Sequence, residues 1–162
     1  MSKDEVDRIV EQWEVERPDL DTSPILVVGR IERLHAKVEA ALRPTFAAEQ
    51  LGNGDFDVLA ALRRNGSPFA MRPADLSRAL LVTTGAITKR IDRLENAGHV
   101  DRTESVEDDG RGKLVRLTEH GRTFIDQMIL IHFTNEHRLL EALTPTERHT
   151  LATLLAKLDA SL

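Results

Sequence analysis

PADLSRALLVTTGAITKRIDRLENAG, running from Pro73 to Gly98, is the stretch that decides the fold. Pro73 supplies the fixed φ suited to a first helical position, and Leu76, Ala79 and Leu80 follow at helical spacing. Leu81 to Thr83 interrupt that pattern, after which Ile87, Ile91 and Leu94 mark one face of a second helix over 84–97. Gly98 then stands where a left-handed residue ends a helix. Two short helices joined by a tight turn form the helix-turn-helix pattern. At about 100° per residue, Gly85, Thr88, Lys89, Asp92 and Asn96 fall opposite the apolar face, with Arg93 on the flank. Thr83 or Thr84 can cap the N-terminus.

Immediately downstream, His99–Ser105 and Lys113–Leu117 read as strands around a loop of Glu, Asp, Gly and Arg, which predicts a β-hairpin with a charged tip. Arg111 and Lys113 lie at that tip, where arginine can enter a narrow minor groove. The start of the second helix offers Thr84, Gly85, Thr88 and Lys89, a small, polar and basic surface suited to a major groove, and Arg93 on its flank is expected to join the DNA contact. Alone, such a face would be ordinary solvated helix. Its place between a preceding helix and a basic-tipped hairpin makes duplex DNA the expected partner.

Outward from this centre the chain is helical. Val6, Ile9, Val10 and Trp13 give a helix over 4–16, which Pro18 ends. Ile25, Val28, Ile31, Leu34, Val38 and Leu42 mark a long helix to about 48, and Phe56, Leu59 and Leu62 a further one over 55–64. A helix from Thr118 to about Leu143 precedes Thr144-Pro145-Thr146-Glu147, a capping box that opens a final leucine-rich helix. The expected organisation is therefore 1–48, an extension and first dimerisation helix; 49–120, the DNA-binding domain; and 121–162, C-terminal dimerisation helices. The flanking apolar stripes are too long for a small central core to cover, so a homodimer is expected. The fold class is mainly α with a small hairpin wing.

A net charge of −5 taken alone argues against nucleic acid, but the sum hides an asymmetry. Residues 1–62 carry −6, residues 63–122 carry +3 and residues 123–162 carry −2. Local charge decides whether a surface can hold phosphates. The absence of cysteine excludes disulfides, thiolate nucleophiles and cysteine metal sites. No run of apolar residues is long enough for a transmembrane helix and the charged N-terminus is no secretory signal, so a cytoplasmic protein away from membranes is expected. His132 and His137 are five apart and do not converge as metal ligands, and all four of His120, His132, His137 and His149 read as surface or interface residues. With no phosphate loop or nucleophile motif, neither enzyme activity nor a cofactor is expected.

Asp109-Gly110-Arg111, five residues, Leu117-Thr118, two residues and Gly121 match the D-x-R-x5-L-T-x-x-G wing signature. On this motif the chain resembles the MarR family of bacterial winged helix-turn-helix repressors, and residues 85–98 look like its recognition helix. The resemblance implies a homodimer on a pseudo-palindromic operator, released by a small ligand, with Asp109 orienting Arg111. The helix at 4–16 is similar to an extension in the urate-responsive branch. That likeness assigns Trp13, Asp57, Arg90 and Arg102 to binding a small anionic effector such as urate. Arg90 falls at the border of the apolar face, where a half-buried arginine needs an anionic partner such as Asp57, and Arg102 could complete the cluster. An anion stacked on Trp13 would compete with Asp57 and pull the recognition helix. Two alternatives stay open for the set: a different small anion, phenolic or tricarboxylic, or a purely structural ion-pair network. A winged-helix module that binds only protein remains a third reading of the chain as a whole.

Overall fold

Asp4 opens the first helix with a reciprocal cap: its carboxylate accepts from the Val6 and Asp7 amides, while the Asp7 carboxylate accepts from the Asp4 N–H at 2.9 Å. The computed structural model describes residues 3–52, 54–104 and 113–162. It divides into two compact units, Met1–Pro44 and Thr45–Leu162. Pro44 lies inside α2, where its missing N–H and its ring interrupt the helical hydrogen bonds.

In the first unit, α1 (Glu5–Glu16) buries Val6 and Val10. Val6 meets α2 (Ile25–Ala48) at Gly29, where an added Cβ would stand 3.4 Å from the valine Cγ1. Arg30 of α2 reaches back to Asp4 at 3.2 Å and Asp7 at 2.8 Å. The Asp4 amide, and after it the Arg30 guanidinium, hold the Asp7 carboxyl below its ordinary pKa. No residue of α2 is buried, although Val27, Val28 and Leu34 are large and apolar.

The second unit holds the core. It contains α3 (Asp55–Arg64), β1 (Ala70–Met71), α4 (Pro73–Ala79), α5 (Thr84–Asn96), β2 (Val100–Glu104), β3 (Lys113–Leu117), α6 (Glu119–Leu139) and α7 (Pro145–Asp159). Leu59 and Leu62 of α3, Leu76 of α4, and Ile87, Ile91 and Leu94 of α5 pack with Val100, Val115, Ile125 and Met128. All are at most 2% exposed, so the periodic apolar positions read from the sequence form one core. Residues 121–162, set apart above, share this unit because α6 places Ile125 and Met128 in that core.

The sheet is antiparallel in the order β1-β3-β2. The hairpin β2–β3 was expected; β1, which pairs Ala70 with Arg116 and Met71 with Val115, was not. Two residues carry no alternation to detect. Helix α6 ends at Leu139, short of the expected Leu143. The Arg148 Nε donates to the Leu140 carbonyl at 3.1 Å and the Leu143 carbonyl at 3.0 Å, satisfying acceptors that continued helix would have used. The Thr144–Glu147 capping box opens α7 as read.

Candidate nucleic-acid interface

The Thr83 hydroxyl accepts from the Ala86 amide at 3.3 Å and starts α5. With Ile87, Ile91 and Leu94 turned inward, Thr84, Gly85, Thr88 and Lys89 are all exposed. Thr88 satisfies its own hydroxyl on the Thr84 carbonyl at 3.0 Å. Among the described residues Lys89 makes no ion pair. A Cβ built on Gly85 meets nothing within 4 Å among the described residues, so none of them requires glycine there. This end of the helix presents an uncompensated cation and a small, open backbone position.

The other end is anchored. Arg93, expected on the DNA side, donates instead to the Asp55 carboxylate through Nε at 3.1 Å and Nη2 at 2.6 Å. Asp55 is 2% exposed and also accepts from the Gly52 amide at 2.8 Å. That pairing raises the Arg93 pKa above its ordinary value. Arg102 pairs with Asp92 and Glu95, tying β2 to the last turns of α5, and these bonds likewise raise its pKa.

The structure corrects the ion-pair set drawn from the sequence. Asp57 is exposed on α3 and makes no ion pair among the described residues. Arg90 is half-buried, as its position on the helix requires, but its guanidinium lies over Gly54, where a Cβ would overlap it. Gly54 adopts φ +76°, so glycine is required there both for backbone conformation and for this approach. The carboxylate that grips α5 is therefore Asp55, not Asp57. Sequence reasoning missed it; the signal was its place beside Gly52 and Gly54 at the start of α3. Trp13 is 47% exposed on α1 in the first unit.

In the wing, Lys113 is exposed at the start of β3, and Arg116 pairs across the ladder with Asp101 at 2.9 Å. Asp109 and Arg111 lie outside the described residues. The second half of the wing signature has a clear structural job. The Thr118 hydroxyl accepts from the Gly121 amide at 2.9 Å and donates to the Gly98 carbonyl at 2.7 Å. Gly121 sits so close to the His99 carbonyl that no side chain fits. Leu117-Thr118-x-x-Gly121 thus joins the end of β3 to the cap of α6 and the segment after α5.

His99, buried here, stacks on His120 at 4.9 Å and Phe124 at 4.3 Å. Burial, and after it His120, hold its imidazole below the ordinary pKa. His132 packs on the Phe56 ring at 4.5 Å and contacts Glu136 at 3.1 Å. No three His, Asp or Glu residues converge to hold a metal among the described residues, and none of their helices is long and apolar enough to cross a membrane.

Comparison with known proteins resolves the family. A model described as the MarR family matches residues 50–112. The Escherichia coli multiple antibiotic resistance protein MarR is 31% identical over 135 residues, covering 82% of this chain and 91% of that protein. The chain belongs to the MarR family. Over nearly its full length, 98% of this chain and 95% of the relative, it is 37% identical to the transcriptional regulator PecS of Dickeya dadantii. A MarR mutant from E. coli complexed with operator DNA has a TM-score of 0.72 at 30% identity, covering 86% of this chain and 99% of that one. Bordetella bronchiseptica BpsR, whose structure concerns regulation of DNA binding by 6-hydroxynicotinic acid, has a TM-score of 0.72 at 26% identity, covering 82% and 92%. The winged-helix architecture expected from Pro73–Gly98 is the one this MarR-family chain adopts.

Proposed function

We propose that this chain is a DNA-binding transcriptional repressor, acting in the cytoplasm as a homodimer on a pseudo-palindromic operator and released by a small anionic effector such as urate. The observation that carries the DNA reading is the start of α5, where Thr84, Gly85, Thr88 and Lys89 are exposed and Lys89 has no ion pair among the described residues. The MarR structure bound to operator DNA supports that use of the fold. Lys113, and Arg111 as oriented by Asp109, would serve the wing contact. Arg93 is not part of the proposed DNA surface, because its guanidinium is committed to Asp55.

Two separate observations support the homodimer: no residue of α2 is buried, and in the other unit Leu130, Phe133, Leu154 and Leu155 stand exposed on α6 and α7. For the effector, Trp13 remains exposed, and Arg90 is half-buried without a carboxylate among the described residues. A flat anion would supply the missing charge. The BpsR structure favours a second small aromatic acid, 6-hydroxynicotinate, as a comparison ligand.

The test is fluorescence anisotropy with a duplex from the region upstream of this protein's own coding sequence. Binding that weakens steeply with salt, and release by urate that Trp13→Ala and Arg90→Ala both blunt, are the expected results. A complex that persists in millimolar urate but dissolves in 6-hydroxynicotinate would transfer the site to another acid. Absence of salt-dependent binding would favour a protein-interaction module.

A further inference from the structure

Leu81, in the turn between α4 and α5, combines two features that oppose each other in a free molecule. Its φ of +52° is in the left-handed region, which a branched side chain adopts only with strain and a glycine without any. The residue is 93% exposed. The other non-glycine residues with positive φ are Gln50 and Phe69 among the described residues. The Phe69 ring has the Arg63 guanidinium over it at 5.0 Å, so that strained residue has a partner within the chain. Leu81 has no such cover.

The turn that holds Leu81 is well fixed. Its amide donates to the Arg78 carbonyl at 3.3 Å, the Val82 amide donates to the Ser77 carbonyl at 3.1 Å, and the Ser77 hydroxyl donates to the Val82 carbonyl at 2.5 Å. Leu81 is two residues ahead of the Thr83 cap, which places it beside the start of α5 that the proposed DNA reading uses. The turn uses the left-handed backbone of Leu81 to end α4, where glycine would serve without strain, but makes no use of the exposed leucine side chain, which points to use by a partner.

We infer that Leu81 is an apolar DNA contact at the edge of the major groove, packing on a thymine methyl or a deoxyribose beside the bases that α5 reaches. The inference rests on the DNA-binding reading above. It continues the Thr84–Lys89 surface by one apolar residue in each half-site, and a duplex edge offers both a C5-methyl and sugar carbons for it to cover.

The experiment uses the full chain and the duplex that the wild type enriches from a randomised pool. Leu81→Gly relieves the strained backbone, and Leu81→Asn keeps a residue tolerant of positive φ while removing the apolar contact. Both should bind that duplex roughly 10-fold more weakly or worse, the low end of what losing a buried aliphatic side chain costs. Sedimentation should be unchanged, and melting should stay within about 3 °C of wild type because the fold does not rely on Leu81. A loss on uracil-for-thymine duplexes that Leu81→Gly does not share identifies the methyl; an affinity loss in the variant without that uracil effect identifies the deoxyribose. Wild-type affinity in both Leu81 variants, with weakened binding in Lys89→Ala, overturns the inference and leaves the DNA reading standing. If the wild type enriches no duplex at all, the DNA reading itself fails and takes the inference with it.

Discussion

The two halves of α5 carry charge for different ends. In the first half, among the described residues, Lys89 is exposed without an ion-pair partner and nothing lies over Gly85. In the second, Arg93 is held by buried Asp55, while Asp92 and Glu95 are held by Arg102. One thirteen-residue helix thus presents polar groups to the outside at its start and spends them on its own fold at its end. Sequence alone makes these halves look alike: both place cations beside or opposite the apolar face. What separates them is whether a neighbouring element brings a carboxylate within reach.

The largest expected effect breaks the anchored half. Asp55→Asn leaves the Arg93 guanidinium without its anionic partner in a part-buried place, and urea unfolding should show a loss of about 1–3 kcal/mol. The figure stays below that of a fully buried pair because Arg93 is half exposed. A stability equal to wild type would mean that Asp55 does not anchor α5.

Gly85→Ala sharpens the contrast because its two readouts should move in opposite directions. Alanine is the better helix former, and an added methyl meets nothing here, so stability should rise by up to about 1 kcal/mol. Duplex affinity should fall, since the methyl intrudes where DNA backbone or bases approach. Equal or tighter binding would remove Gly85 from the contact surface.

The smallest effect is expected at the β2 clamp. Arg102→Ala removes bonds to two partly exposed carboxylates, Asp92 and Glu95, and should cost about 1 kcal/mol or less in a thermal or urea melt. A larger loss would make Arg102 a principal anchor of α5, and loss of urate response without loss of stability would return it to the effector site.

Much of this fold was legible because periodicity reports burial. Ile87, Ile91 and Leu94 on α5, and the Thr144–Glu147 box, are local patterns with local causes, and each appears where it was read. The two-residue β1 is not local: it exists because β3 offers an edge, which Ala70 and Met71 do not announce. The choice between Asp55 and Asp57 is of the same kind. Both lie in the first turn of α3, and only the packing of α3 on α5, with Arg90 seated over Gly54 and Arg93 reaching Asp55, decides which one is buried. The polar start of α5 was legible for the opposite reason: nothing in the described chain packs over it to alter what the helical wheel implies.

The most direct test of this division is duplex affinity measured side by side for Lys89→Ala and Arg93→Ala, at a temperature where both variants are folded. Lys89→Ala should bind about 1–3 kcal/mol more weakly than wild type, while Arg93→Ala should bind close to wild type despite its lower stability. Full affinity in Lys89→Ala together with a large loss in Arg93→Ala would place the DNA contact at the wrong end of the helix and contradict the account.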